Sequence, residues 1–304
     1  MHASWTSYLD TQTLSPQLPA EHQSIIAPLT HLAVLSLSGE DAASFLQGQT
    51  TCHINELIDA QPRLGAYCNA KGRTITTFII IKQASTFQLI LPASLLGTVR
   101  KKLQMYVLRS QVQISDQSEQ LCVIGMHNIP LTAQAHVYPY PQQKQSFLFI
   151  AKSEQACAFW SELIANETNT AVNADVWLGL DILSGLPWLN TETTEKFIPQ
   201  MLNLDTLNAI SFEKGCYTGQ EIVARTHYLG QNKRTLYLAS ARADTAVTPG
   251  MDVVEIANET NKLGTVVLAA NFAQICYLLV VLKDQVGDIK NLQLNNQNKD
   301  KITL

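Results

Sequence analysis

The residues whose types and spacing best suit chemistry lie in SFEKGCYTGQEIVAR, Ser211 to Arg225. A thiol, Cys216, follows Lys214 and Gly215 and precedes Tyr217 and Gly219. Thr218 and Glu221 have the spacing of a capping box. EIVARTHYL continues in a helix-compatible pattern and Gly230 is a natural stop, so a helix is expected from about Gly219 to Tyr228. Cys216 then sits just before a helix N-terminus. The partial positive charge there stabilises a thiolate, and the Lys214 ammonium nearby would do the same. Gly215 and Gly219 allow a sharp turn and the close approach of a ligand. Gln220, Glu221 and Arg225 can point polar groups into the same region. Local chemistry leaves two readings open: a reactive thiol, or a small residue buried in a turn, which is the commoner place for an unpaired cysteine.

The remaining candidates are weaker. His227 is a possible base for Cys216, but eleven residues along a helix-turn is an awkward reach. The other histidines show no ligand spacing, and neither a Walker glycine loop nor GxGxxG is present. Cys52, Cys68, Cys122, Cys157 and Cys276 sit in apolar or mixed patterns; Cys68 adjoins a turn and could face a pocket. With no CxxC pair, the cysteines argue against a zinc site or a disulfide framework and suit a reducing compartment.

The elements that must hold this thiol can be read along the chain. The first thirty residues are polar and proline-dotted and read as a loose leading segment. HLAVLSLSG (31–39) reads as a strand, EDAASFLQGQ (40–49) as a short helix, and LGAYCNAKGRTITTFIII (64–81) as a hairpin turning at Asn69 to Gly72. TFQLILP is a strand. ASLLGTVRKKLQMYVLR (93–109) is a helix with its charges bunched on one side, and Arg100-Lys101-Lys102 reads as a solvated face. Strands QVQIS and LCVIGM, a Pro/Gln/Tyr-rich connection (127–145), strand FLFIA and helices over 153–165 and 174–189 follow. Beyond about residue 232, short β runs alternate with turn clusters, the pattern of a small all-β barrel. The divisions expected are 1–125, a first α+β domain with the polar leading segment; 126–231, a second α+β domain carrying the cysteine motif; and 232–304, the barrel.

The 304 residues carry a net charge of −4, so nothing pulls the whole chain onto nucleic acid or an anionic membrane. MHASWTSYLDTQTLSPQLP has no basic region followed by an apolar run, so no signal peptide is expected, and the longest apolar stretch, roughly Ile275 to Leu282, is far short of a spanning helix. A cytoplasmic protein is expected.

KGCYTGQE resembles the defining motif of the YgfZ-type folate-binding proteins, relatives of the glycine-cleavage T-protein, an aminomethyltransferase. FLQGQTT (45–51), YCNAKGR (67–73), VWLGLDILSGLP (176–187), FIPQMLNLD (197–205) and NKRTLYL (232–238) resemble family segments in the family's order. The resemblance implies a T-protein-like three-domain ring, with two α+β domains and a C-terminal β-barrel. It implies tetrahydrofolate or a derivative as ligand, and a part in making or repairing iron–sulfur clusters in client enzymes, a tRNA-thiolating enzyme among them. It makes Cys216 the working thiol, with Lys214, Gly215, Tyr217, Gly219, Gln220, Glu221 and Arg225 matching its motif neighbours. Trp177 falls at a folate-side tryptophan, where an indole can stack on a pterin or aminobenzoyl ring. The chain departs from the family at Leu32, in place of a second tryptophan, and at Leu183, in place of a glutamate that can bind the pterin's N–H edge. RTITTF lacks the carboxylate that T-proteins carry for aminomethyl transfer.

Three functions follow: a folate-binding accessory factor for iron–sulfur enzymes working through Cys216, a folate-dependent one-carbon transferase, and a non-catalytic binding module. The first is preferred. No direct nucleic-acid contact, membrane association or metal site is expected.

Overall fold

The computed structural model describes residues 2–304 apart from 21, 131–134, 231, 243–245, 274 and 285–290. In chain order the regular elements are α1 (Ala3–Leu9), β1 (Ser24–Pro28), β2 (Leu32–Ser38), α2 (Ala42–Gln47), β3 (Arg63–Cys68), β4 (Thr74–Gln83), β5 (Thr86–Pro92), α3 (Leu96–Val107), β6 (Gln113–Asp116), β7 (Leu121–His127), β8 (Val137–Pro139), β9 (Ser146–Lys152), α4 (Ser153–Ile164), β10 (Asn169–Ala171), α5 (Ala174–Leu183) and α6 (Gln220–Tyr228). The remainder is β: β11 (Arg234–Arg242), β12 (Asp252–Glu255), β13 (Asn258–Phe272), β14 (Ile275–Lys283), β15 (Leu292–Leu294) and β16 (Lys301–Thr303). No helix among the described residues is long and apolar enough to cross a membrane.

The strands form two five-stranded sheets, ordered β10-β1-β7-β9-β8 and β3-β4-β5-β2-β6, and a closed barrel ordered β11-β14-β13-β12-β15-β16. This is an α+β architecture with the C-terminal barrel expected from the short β runs. The barrel closes because β16 pairs back onto β11, Ser240 opposite Thr303. Register shifts at Val253–Glu255 on β12 and at Val266–Leu268 on β13 give the bends that closure needs. Its interior is filled by Val253, Val266, Leu278, Val280, Leu282 and Leu294, all fully buried.

The chain divides into two compact units. The first holds residues 1–47, 53–64 and 78–177; the second holds 48–52, 65–77 and 178–304. In the first, α1 and α4 cover one face of the β10-β1-β7-β9-β8 sheet. Trp5, Ile26, Ile124, Met126, Phe149 and Trp160 share that core, with Trp5 and Trp160 meeting edge to face. The leading segment is therefore not loose. It supplies Trp5, and the short run Ile25-Ile26-Ala27 is a fully buried strand between β10 and β7. Its five residues are too few, and too close to prolines, to show a period in the sequence. On α3, Leu96, Val99, Leu103 and Val107 face inward at helical spacing.

In the second unit, segments 48–52 and 65–77 join the loops before and after α6 and the barrel. The unit thus gathers pieces of chain that are far apart in sequence, and these pieces hold the cysteine motif.

Candidate functional site

The motif loop runs from Ser211 to Gly219 and leads into α6. It is held first by residues 48–52. The Ser211 N–H donates to the Thr51 carbonyl at 2.9 Å and the Thr218 N–H to the Gly48 carbonyl at 3.1 Å. The Thr51 hydroxyl, fully buried, donates to the Ala209 carbonyl at 2.7 Å and accepts from the Ala66 N–H at 2.9 Å. Lys214 turns inward. Its Nζ donates to the carbonyls of Thr50 at 2.6 Å and Cys52 at 2.7 Å, and lies 5.1 Å from the centre of the Tyr217 ring.

The β3–β4 turn is the second support. The Asn69 side-chain oxygen accepts from the backbone N–H groups of Lys71 and Arg73, and its amide donates to Glu195 at 2.9 Å. This turn presses on the start of α6. Gly219 takes φ 84°, and a Cβ there would stand 2.4 Å from the Asn69 carbonyl oxygen. Gly72 takes φ 67°, and its Cβ would meet Ile222 at 2.8 Å. Both positions exclude a side chain by conformation and by space.

Two further contacts close the loop. Phe212, at its start, stacks on His227, in the last turn of α6, with ring centres 3.7 Å apart and planes 13° from parallel. Gln200 donates to the Val223 carbonyl at 2.6 Å, and Asn203 to the Leu236 carbonyl at 2.9 Å, tying α6 and the first barrel strand to the same neighbourhood.

Within this frame Gly215 and Cys216 are exposed. Of the six cysteines, Cys216 alone is exposed and Cys157 is half-buried. Burial pushes the Cys68, Cys122 and Cys276 thiols up to about 12, where they stay protonated. Cys68 is buried, only 1% exposed. The arrangement presents a single thiol to the outside on a loop fixed from three sides.

The Lys214 ammonium donates to two backbone carbonyls, and burial lowers its pKa from 10.5 to about 8. The capping box does not form, because Gly219 occupies the N-cap in a left-handed conformation. The Thr218 hydroxyl donates instead to Gln49 at 3.3 Å, and Glu221 pairs with Arg225 at 3.3 Å on the exposed face of α6. His227 is engaged with Phe212. Tyr217 is buried, its phenol pushed well above the usual range by burial and then by the Cys68 thiol, so it stays protonated. Gln220 begins the helix, its N–H bonded to the Tyr217 carbonyl at 3.1 Å. The motif residues from Lys214 to Arg225 are thus gathered in one unit.

Trp177 belongs to the other unit and is fully buried. A Cβ on Gly125 would stand 2.7 Å from its ring, and Tyr140 meets it edge-on at 5.3 Å. Its indole has no open face on which a pterin could stack. Leu32 is buried in the first unit, and Leu183 is exposed in the second. Thr74, Thr76 and Thr77 of RTITTF are buried, with the Thr77 hydroxyl bonded to the Pro187 carbonyl at 2.6 Å. The anchors Thr51, Asn69, Gln200 and Asn203 were not singled out from sequence, although each lies in a segment that carried the resemblance.

Comparison with known proteins gives three findings. The chain is 32% identical to the tRNA-modifying protein YgfZ of Colwellia psychrerythraea, with 96% of each chain covered. It is 30% identical to the tRNA-modifying protein YgfZ of Yersinia enterocolitica, over 90% of this chain and 88% of the relative. Among solved structures, the glycine cleavage system aminomethyltransferase T from Bartonella henselae matches with a TM-score of 0.72 at 14% identity, covering 98% of this chain and 86% of that one, which shows a shared fold. No family model matches the chain.

Proposed function

The chain belongs to the family of the tRNA-modifying protein YgfZ, and on that premise we propose that it is a folate-binding accessory protein that supports tRNA modification through iron–sulfur client enzymes, with Cys216 as its working thiol. The observation that carries this reading is the exposed thiol on a loop held by Gly48, Thr50, Thr51 and Asn69, which lie in segments resembling the family. Fixing the loop while leaving the thiol open suits a group that meets something outside the chain. Lys214 is bonded to backbone carbonyls and His227 is stacked on Phe212, and we infer that a partner or ligand completes the chemistry at the thiol.

Tetrahydrofolate is the ligand proposed, on the strength of the family resemblance and the T-protein fold. Trp177 does not fit the stacking contact assigned to it, because its ring is enclosed. The one-carbon transferase reading gains nothing from the buried threonines of RTITTF.

The test is replacement of the thiol. Cys216→Ala is exposed and should melt within about a degree or two of the parent protein. In a strain lacking its family member it should fail to restore thiolated tRNA nucleosides and iron–sulfur enzyme activity. Full restoration would make the motif structural. Calorimetric titration with tetrahydrofolate is expected to show saturable binding to both proteins.

A further inference from the structure

The helix α3 carries a surface that the proposed function does not use. Its inner face is buried, while its outer face presents Arg100 and Lys101 and, one turn on, Gln104 and Met105; exposed Leu108 and Arg109 follow directly where the helix ends. Among the described residues no carboxylate lies within ion-pair distance of Arg100, Lys101 or Arg109. Cations gather here although the whole chain is acidic, at −4.

Apolar groups stand among these cations. Met105 is 60% exposed, Tyr106 44% and Leu108 87%. Leu108 also takes φ 45° and ψ −105°, a conformation costly for a branched side chain and favoured by glycine. A strained, solvated leucine stabilises nothing visible within the fold. Shallow hollows flank the ridge, one lined by Gly97, Arg100, Lys101, Gln104 and Met105, the other by Tyr106, Leu108 and Arg109 together with Asp41, just before α2, and Ser44 of α2. Asp41 is the acidic group there, and its carboxylate accepts the Gln111 N–H at 2.7 Å.

We propose that the outer face of α3 docks an acidic protein surface that carries apolar side chains among its carboxylates. Charge complementarity selects the sign of the partner, and the exposed Met105 and Leu108 select its class. A phosphate backbone would use the cations but leave methionine and leucine in water, since nucleic-acid interfaces are more polar and charged than protein ones. A bilayer needs a wide continuous apolar face, and the apolar face of α3 already lies in its own core. Methionine on a docking surface adapts to its partner's shape.

The probe is a fluorescein-labelled helical peptide of about 18 residues, with glutamates and leucines at helical spacing. It is titrated into the full-length protein and followed by anisotropy at about 20 mM and about 500 mM salt. Saturable binding is expected at low salt, weakened about tenfold or more at high salt. Arg100→Glu with Lys101→Glu should weaken it about tenfold. Met105→Ser with Leu108→Ser should weaken it about threefold to tenfold and leave the salt dependence in place. All four side chains are exposed, so circular dichroism melts should match the parent. No binding, or equal binding by parent and both variants, overturns the proposal. Tighter binding of mixed transfer RNA, or of vesicles with about 30% phosphatidylglycerol, abolished by the charge reversal, makes the partner a phosphate surface and overturns it equally.

Discussion

Lys214 and Lys101 carry the same charge, and the chain treats them in opposite ways. Lys214 is buried, with both partners supplied by backbone carbonyls of one distant segment. Lys101 is exposed on α3 and meets no carboxylate among the described residues. A lysine beside a cysteine in sequence invites an electrostatic role at the thiol, and a lysine in a basic run invites dismissal as solvated. The three-dimensional arrangement changes the first reading and keeps the second: Lys214 turns to backbone carbonyls, while Lys101 is solvated. Lys214 is a strut that fixes the motif loop, whereas Arg100 and Lys101 of α3 stand exposed. Sequence proximity places a charge near a thiol only if the backbone also turns the side chain that way.

The comparison breaks most readily at Lys214. Lys214→Met removes two charge-assisted hydrogen bonds, to the Thr50 and Cys52 carbonyls, at about 1–3 kcal/mol each. A loss of about 2–4 kcal/mol is expected in urea unfolding, whereas Lys101→Met should stay within about 0.5 kcal/mol. Equal, small losses would dissolve the distinction. The pH dependence follows the same logic. Below about pH 8 Lys214 is protonated whether folded or unfolded. Between about 8 and its ordinary 10.5, the unfolded chain holds the proton and the folded one releases it. Stability from this group therefore rises with pH across that window. The difference between parent and Lys214→Met should grow in favour of the parent from pH 8 to 10.5.

Gly219→Ala sharpens the same contrast through the backbone. The substitution combines a left-handed φ of 84° with a 2.4 Å approach to a carbonyl oxygen that cannot swing away. A loss of about 2 kcal/mol is expected. Because Gly219 joins the loop to α6, the rate of Cys216 alkylation should change as well. Gly97→Ala on α3, where nothing lies within 4 Å, should be neutral or slightly stabilising. Similar losses at both glycines would mean that the β3–β4 turn does not brace the motif.

These two regions also show what the sequence could disclose. The helix after the motif was legible because its pattern is local: the expected start near Gly219 and end near Tyr228 match α6, Gln220–Tyr228. The barrel was legible because alternation and turn clusters recur along it. The direction of Lys214 was not, since its partners lie more than 160 residues earlier and become neighbours only through the fold. β1 was hidden for a related reason, its role being set by β7 and β10 on either side. Trp177 misled because an indole suits either a ligand or a core. The deciding neighbour was Gly125, whose missing side chain makes room for the ring. The exposure of Met105 and Leu108 depended on which face of α3 the β-sheet covered, and composition is silent on that.

The smallest effect discriminates between two accounts of Glu221. As the third residue of a capping box, it would hold the helix N-terminus, and its loss would cost about 1 kcal/mol. As found, it is an exposed partner of Arg225 at 3.3 Å, one turn along the helix. Exposed pairs at this spacing are worth about 0.3–0.5 kcal/mol and are screened by salt. Glu221→Ala should therefore lower stability by no more than about 0.5 kcal/mol at low salt, and by almost nothing in about 0.5 M sodium chloride. A salt-independent loss near 1 kcal/mol would restore the capping role. It would also require Gly219 to leave its left-handed conformation, since a capping box needs an extended residue with a side-chain oxygen at the N-cap, and its Cβ-free contact with Asn69 would go with it. The persistence of that contact is what makes the ion pair the stronger reading of Glu221.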